Sequence, residues 1–185
     1  MQTISMHVIN FLSSNATICI EHKDWCIYAL EKRLYKALCF LLILIVGFFV
    51  NAPIESLVIF LSVNFLRTKI SGWHAQSPTV CVALTISASC FGGVLAKRLI
   101  NSFPSAVAVL LLINICLCLV FTPVDNVNLH LTDAELRQNK KLGNYRACFM
   151  LLFSLVAFFF SKTASWSISI QIGVLIALAS TFIKE

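Results

Sequence analysis

The sequence predicts an all-α, polytopic membrane protein. We expect six transmembrane helices that follow an N-terminal amphipathic segment, with both termini in the cytoplasm. Of the 185 residues, 59% are hydrophobic and 12% are charged, and the mean hydropathy is +0.89. Soluble domains are about a quarter charged. Apolar stretches recur along the chain with short connectors between them. This composition excludes a soluble enzyme, and we expect a lipid bilayer and no nucleic acid as partner.

We expect one integral membrane domain over residues 1–185. Its N-terminal part, 1–36, is a cytoplasmic or interfacial segment. The remainder, 37–185, is a six-helix transmembrane bundle with cytoplasmic loops at 67–78 and 122–146.

The N-terminal segment is polar and contains no signal peptide pattern. It lacks the basic start, apolar core and small-residue cleavage site of a secretory signal, so we expect no segment to be removed. Residues 23–38 mix apolar and charged positions in a way that fits an amphipathic helix in the membrane interface. A solvated helix that leads into the first span fits equally well.

Six apolar stretches are candidates for membrane spans. They cover 37–50, 53–66, 79–96, 101–121, 147–161 and 165–183. The first two form either one long helix or a hairpin. Pro53 breaks helices and Glu55 is costly at bilayer depth, so the linker between these stretches favours a hairpin. Two of the spans look short, which implies tilt or local bilayer thinning.

The distribution of basic residues supports the hairpin and sets the orientation. With a hairpin, eleven of the fourteen Lys and Arg residues lie on the cytoplasmic side, and only Lys97, Arg98 and Lys162 lie outside. One long helix would give seven on each side. Because short cytoplasmic loops are enriched in Lys and Arg, we expect six spans with both ends in the cytoplasm.

The eight cysteines form no repeating pattern and no Cys-x-x-Cys pair. A disulfide framework or a zinc site is therefore not expected, and no cofactor is implied. Most of these cysteines lie inside apolar stretches, where the residue behaves as a small hydrophobe. Only Cys81 lies beside polar residues and a histidine.

Local signals place Cys81 at the start of a helix. Ser77 is a typical N-cap, and Pro78 suits the first helical position, where its missing N–H costs nothing. Cys81 then falls in the first turn, where the positive end of the helix dipole favours a thiolate, the reactive form. Nearby Arg67 and Lys69 act in the same direction. We expect this cysteine to be a nucleophile.

His74 is the candidate general base. A straight helix would place it about 10 Å from Cys81, since seven residues each rise 1.5 Å. Turns at Gly72 and at Pro78 permit the imidazole to fold back to the helix end, take the thiol proton and return it to a leaving amine. Alternatively, Cys81 is a core residue and His74 an interfacial one. A metal site would need further ligands.

The segment that holds this pair resembles the accessory gene regulator B (AgrB) family, membrane-embedded cysteine endopeptidases of bacterial quorum sensing. The matching residues are Gly72, Trp73, His74, Ala75, Ser77 and Cys81. "TPVD" at 122–125 resembles a further family motif at the end of a span. Ser71 departs from the pattern, because the family often has glycine there, but Gly72 keeps the flexible position.

The resemblance implies a substrate and a mechanism. His74 activates Cys81, which attacks a carbonyl of a short AgrD-like propeptide, releases the C-terminal fragment and keeps the acyl group as a thioester. A side chain of the bound peptide then closes a thiolactone or lactone ring. Gln76, Gly72 and Ser77 are possible supporting residues, although Gln76 also fits an ordinary polar loop. The resemblance further implies a homodimer in the bacterial cell membrane, with the active site at the cytoplasmic face.

A small membrane transporter and a non-catalytic adaptor are the alternatives. A transporter predicts polar residues inside the spans, whereas Asn64, Asn114, Lys162 and Gln171 are expected singly or near span ends. An adaptor predicts that Cys81→Ala has no effect.

Overall fold

The computed structural model describes residues 6, 23–70, 77–121, 132–160 and 163–183. These residues form six helices and no strand, which confirms the all-α class. The helices are α1 Lys23–Phe49, α2 Pro53–Ile70, α3 Pro78–Ser102, α4 Ala106–Val120, α5 Asp133–Phe159 and α6 Ala164–Ala179. The chain divides into two compact units, Met1–Leu42 and Ile43–Glu185, and each is described by itself.

The first unit contains most of α1. This helix of 27 residues covers the predicted amphipathic segment, 23–38, and continues without a break into the predicted first span. The two predicted elements are therefore one helix. The sequence allowed either an amphipathic helix in the membrane interface or a solvated helix that leads into the first span. A continuous helix matches the second interpretation.

The second unit contains the end of α1 and the turn that separates α1 from α2. Asn51 has a positive φ of 57°, and the Ala52 N–H donates a hydrogen bond of 2.9 Å to the Gly47 carbonyl oxygen. A single left-handed residue after a helix is a common way to end it, and asparagine tolerates that conformation. Pro53 then starts α2, so the predicted helix break is confirmed.

The predicted boundary between the third and fourth apolar stretches is wrong. α3 continues through Lys97 and Arg98 to Ser102, and α4 has only 15 residues. Charged residues at a helix end do not stop a helix, whereas Pro104 disfavours helical geometry at the residue before it. The stretch 101–121 is therefore the end of one helix, a short turn and a second helix.

The second half of the predicted cytoplasmic loop 122–146 is helical, because α5 begins at Asp133. Thr132 caps this helix: its Oγ1 accepts a hydrogen bond from the Glu135 N–H, and the Glu135 carboxylate accepts one of 2.8 Å from the Thr132 N–H. This reciprocal capping box has the sequence signature Thr-x-x-Glu. Residues 122–131, which include the "TPVD" motif, lie outside the described residues.

Arg146 in α5 joins that helix to α2. Its Nη1 donates a hydrogen bond of 2.8 Å to the Phe65 carbonyl oxygen and another to Thr68 Oγ1, and its guanidinium lies 4.7 Å from the centre of the Phe65 ring. Arg146 thus holds α5 against α2. It is also one of the basic residues that predict the cytoplasmic side.

α6 is the central helix of the second unit. It packs against α2, α3, α4 and α5, and every residue from Ser167 to Val174 is buried. A helix that is buried on all sides needs apolar or small residues around its whole circumference. The segment that surrounds Gly173 meets that requirement.

The buried part of α6 also carries polar hydrogen bonds to its neighbours. Asn114 Nδ2 in α4 donates to the Gln171 carbonyl oxygen at 3.1 Å, and Gln171 Nε2 donates to Ser154 Oγ in α5 at 3.2 Å. The expectation that Asn114 and Gln171 lie singly or near span ends is wrong. The two residues are 57 positions apart, and only tertiary packing brings them together.

A buried carboxylate joins α2 to α3 and α6. Glu55 accepts a hydrogen bond of 3.0 Å from Ser165 Oγ, and Lys97 Nζ lies 3.8 Å from its other carboxylate oxygen. Lys97 also donates to the Asn51 carbonyl oxygen. These partners offset the cost of removing Glu55 from water.

The outer faces of the helices are apolar. Phe91 in α3, Leu119 in α4 and Phe149 in α5 are 74%, 77% and 65% exposed. Among the described helices, α3 and α5 are long and apolar enough to cross a membrane, while α4 and α6 are apolar but shorter. Exposed apolar surface of this extent is unusual for a soluble monomer.

Glycines permit the closest helix contacts. A Cβ atom at Gly93 would lie 2.5 Å from Ser56 Oγ and 2.8 Å from the Ser56 backbone nitrogen, and one at Gly173 would lie 2.5 Å from Ser62 Cβ. Both contacts are with α2. The backbone of α2 therefore lies directly against α3 and α6, which is the packing that small residues allow in membrane proteins.

Gly93→Val is expected to lower the free energy of unfolding by about 1–3 kcal/mol, because the new side chain forces α3 away from the Ser56 backbone. Unfolding in detergent micelles measures the change. Ser87→Val is the matched control, since it places the same side chain at an exposed position of α3. Equal stability of the two variants would contradict the close contact.

Candidate active site

A cleft of about 320 Å³ lies between α2, α3 and α6. One wall is formed by Ile59, Val63 and Arg67, which are spaced four residues apart along α2. α3 contributes Cys81 together with residues of its next two turns, and α6 contributes its C-terminal end. The lining is mainly apolar, with a basic residue and a thiol at one end.

Cys81 is half-buried and lies near the N-terminus of α3. Ser77 is the N-cap residue with extended backbone, and Pro78 opens the helix, so the predicted helix start is confirmed. The Cys81 N–H donates to the Ser77 carbonyl oxygen at 3.1 Å. The Cys81 amide is therefore already bonded within the helix.

The Ser77 side chain does not cap α3. Its hydroxyl bonds with Thr79 Oγ1 at 2.7 Å and makes no hydrogen bond to a backbone N–H of the first turn. Positive potential at a helix N-terminus comes from amides that lack an intrahelical partner. Cys81 lies one turn from that end.

Arg67 is the basic residue nearest the thiol on the opposite wall. The Arg67 guanidinium interacts electrostatically with the Cys81 side chain. Arginine stays charged in proteins. The structure therefore places a fixed positive charge beside Cys81, as expected from the sequence.

Hydroxyl groups follow Cys81 along α3. Thr85 Oγ1 donates to the Cys81 carbonyl oxygen at 2.7 Å, and Ser89 lies one turn further on and is buried. Residues 81, 85 and 89 share one helix face because they are four apart. That spacing is visible in the sequence and indicates a face of small, weakly polar residues.

The C-terminal end of α6 was not expected in the site. Ile176, Ala179, Ser180 and Ile183 line the cleft, although they follow Cys81 by about a hundred residues. No local pattern in the sequence signals this contact.

The remaining candidate residues lie in the segment 71–76. Gly72, His74 and Gln76 are outside the described residues, so the pairing of His74 with Cys81 stays a prediction. Within the described ranges, no group of three His, Cys, Asp or Glu residues is placed to hold a metal ion.

The other cysteines differ from Cys81 in their surroundings. Cys39, Cys90 and Cys118 are buried, whereas Cys116 and Cys148 are exposed. The exposed pair lies on the apolar outer faces of α4 and α5, beside residues such as Ile115 and Phe149. Cys81 alone among the described cysteines lines the cleft.

The comparisons with known proteins give one match. The family model for accessory gene regulator B matches residues 5–182, which is nearly the whole chain. No curated protein and no solved structure matches.

Alkylation rates test the surroundings of Cys81. Iodoacetamide is expected to label Cys81 at neutral pH at least about tenfold faster than Cys39, Cys90 and Cys118, because the thiol is accessible and lies beside a positive charge. Mass spectrometry of peptides from labelled membranes measures each site. His74→Ala is expected to slow labelling of Cys81 only.

Cys116 and Cys148 serve as internal controls. A charged thiosulfonate reagent is expected to miss both, because they lie on apolar outer faces, and to reach Cys81. If Cys81 is labelled no faster than the buried cysteines and His74→Ala does not change its rate, the Cys81 thiol is purely structural.

Proposed function

This chain belongs to the accessory gene regulator B family, and from that premise we propose that it is a membrane cysteine endopeptidase that cleaves and cyclises a short AgrD-like propeptide. The family itself has a role in processing quorum-sensing peptides.

The position of Cys81 is the observation that carries the proposal. Its thiol is half-buried at the polar end of an apolar cleft, beside the Arg67 guanidinium and near the N-terminus of α3. The Arg67 guanidinium is proposed to stabilise the negative charge that develops on the sulfur during its attack. The buried cysteines have no comparable access to substrate.

In the first step His74 accepts the thiol proton of Cys81, and the sulfur attacks the carbonyl carbon of the bond to be cleaved. The C–N bond breaks, and the proton passes to the leaving amine as the C-terminal fragment departs. The rest of the propeptide remains on sulfur as a thioester. Gly72, Ser77 and Gln76 are proposed to support the histidine or the oxyanion.

In the second step a cysteine or serine of the bound peptide attacks the thioester. Its proton returns to Cys81, the ring closes, and no water is consumed. Exchange of one thioester for another is nearly neutral in free energy, whereas hydrolysis is downhill. The apolar lining of the cleft supports ring closure because it limits the access of water.

The proposed setting is the bacterial cell membrane. We propose that all six helices cross it with both termini in the cytoplasm, that the active site opens at the cytoplasmic face, and that the protein acts as a homodimer. The excess of basic residues on one side supports the orientation. With 15 and 16 residues, α4 and α6 need tilt or local bilayer thinning to cross.

Co-expression in bacterial membranes with the small amphipathic peptide encoded beside this chain tests the proposal. Cys81→Ala is expected to lower cleavage by at least about a thousandfold, as removal of a nucleophile does. His74→Ala is expected to lower it by about 10²–10⁴, the usual contribution of a general base. Intact mass of the peptide gives the readout.

Cys148→Ala is the matched control, since it removes an exposed thiol outside the cleft and should leave cleavage unchanged. A product one water lighter than the linear acid identifies ring closure. If cleavage persists in Cys81→Ala, the assignment of Cys81 as the nucleophile is wrong. If the peptide stays intact with the wild type and all variants, a non-catalytic adaptor is favoured.

A further inference from the structure

We propose that the cleft is a subsite for the two residues that precede the cleaved bond, that these residues carry apolar side chains, and that Ala88 and Ser89 set how bulky they can be. This inference rests on the proposed function. It adds a substrate preference and the residues that determine it.

The cleft is a groove that ends where α2 and α3 touch. A Cβ atom at Gly92 would lie 2.8 Å from Ile59 Cδ1 and 3.2 Å from Ile172 Cγ2, so the three helices are in contact at that level. From that level the lining of the groove continues along α2 and α3 to Arg67 and Cys81. From Cys81 to Ser89 it extends about 12 Å, since eight residues each rise 1.5 Å.

The two ends of the groove differ in chemistry. Cys81 and Arg67 lie at one end, while Ile59, Ile176 and the small residues Ala88 and Ser89 lie toward the other end. A peptide whose carbonyl carbon reaches the thiol therefore has apolar surface available for neighbouring side chains. Burial of such side chains against this surface stabilises the complex.

The size of the groove limits what it holds. Its volume of about 320 Å³ is at the lower end of the range of small-molecule sites, roughly 300–1,000 Å³. This volume suits a pair of apolar side chains and excludes a folded helix. One side of the groove is open at Leu84, which is 48% exposed, and at Ala88 and Ala179. A peptide held in the bilayer interface can enter from that side.

The residues before the cleaved bond are the occupant that fits the chemistry. They stay on the enzyme as the acyl part of the thioester, while the residues after the bond leave in the first step. Side chains that fill the groove during the second step exclude water from the thioester and hold it for the attacking side chain. The leaving fragment has no such requirement.

Peptidyl chloromethyl ketones test this inference, because the Cys81 sulfur displaces chloride and forms a thioether while the peptide occupies the acyl side. Acetyl-Ala-Leu-Leu chloromethyl ketone is expected to label the wild-type protein at least about tenfold faster than acetyl-Ala-Gly-Gly chloromethyl ketone. Intact mass against time gives both rates. Iodoacetamide, which has no side chain, measures the reactivity of the thiol itself.

Ala88→Phe is expected to reduce the Leu-Leu preference to within about twofold and to leave the iodoacetamide rate unchanged, because the aromatic ring fills the groove. Ala83→Phe is the matched control: it adds the same side chain to an exposed position on the opposite face of α3 and should keep the wild-type preference. Ile176→Ala enlarges the groove and is expected to favour a Phe-Phe reagent. Absence of a preference in wild type, or an unchanged preference in Ala88→Phe, would overturn the inference.

Propeptide cleavage measured in parallel separates the two proposals. If cleavage depends on Cys81 but the reagents show no apolar preference, the cleft is not the proposed subsite and the proposed function stands. Loss of cleavage with the preference intact means that the proposed function is wrong.

Discussion

The close approach of α2 to α3 and α6 is the constraint on which the rest of the second unit depends. Gly93 lies against Ser56 and Gly173 lies against Ser62, so backbones meet with almost nothing between them. In an apolar solvent, helices gain little from burying hydrophobic side chains, and close van der Waals contact takes over. One end of the cleft lies beside this contact, where Gly92 packs against Ile59 and Ile172.

Buried polar groups fix α6 in this arrangement. The Gln171 carbonyl oxygen accepts a hydrogen bond from Asn114, and the Gln171 side chain donates one to Ser154. In the first turn of α6, Ser165 donates a hydrogen bond to Glu55. A polar group in an apolar interior is costly unless it finds a hydrogen-bond partner. A rotation of α6 would break several of these bonds together. The helix whose C-terminal end lines the cleft is thereby held in one orientation.

The site combines two requirements that oppose each other. A nucleophilic thiol needs access to substrate and a positive charge nearby, which the half-buried position of Cys81 and the Arg67 guanidinium provide. Ring closure at a thioester needs water to be scarce, which the apolar walls provide. An amphipathic substrate meets both conditions because its own side chains complete the apolar surroundings.

The sequence alone determined the features that depend on neighbouring residues. Composition gives the all-α membrane class, Pro53 gives the helix break, and Ser77 with Pro78 gives the start of α3. The start of α5 was also encoded locally, by Thr132 and Glu135, although the polar composition of that segment led to the prediction of a loop. Caps, prolines and capping boxes act within about four residues, so these signals can be read along the chain.

Only the tertiary structure decided what meets across the bundle. It paired Asn114 with Gln171, set Gly93 against Ser56, and brought Arg67, Cys81 and the end of α6 to one cleft. These partners are from 14 to about a hundred residues apart, and an apolar helix face fits many neighbours equally well. The physical reason is that hydrophobic patterning tells a helix which face to bury, whereas the shape of close-packed side chains selects the partner.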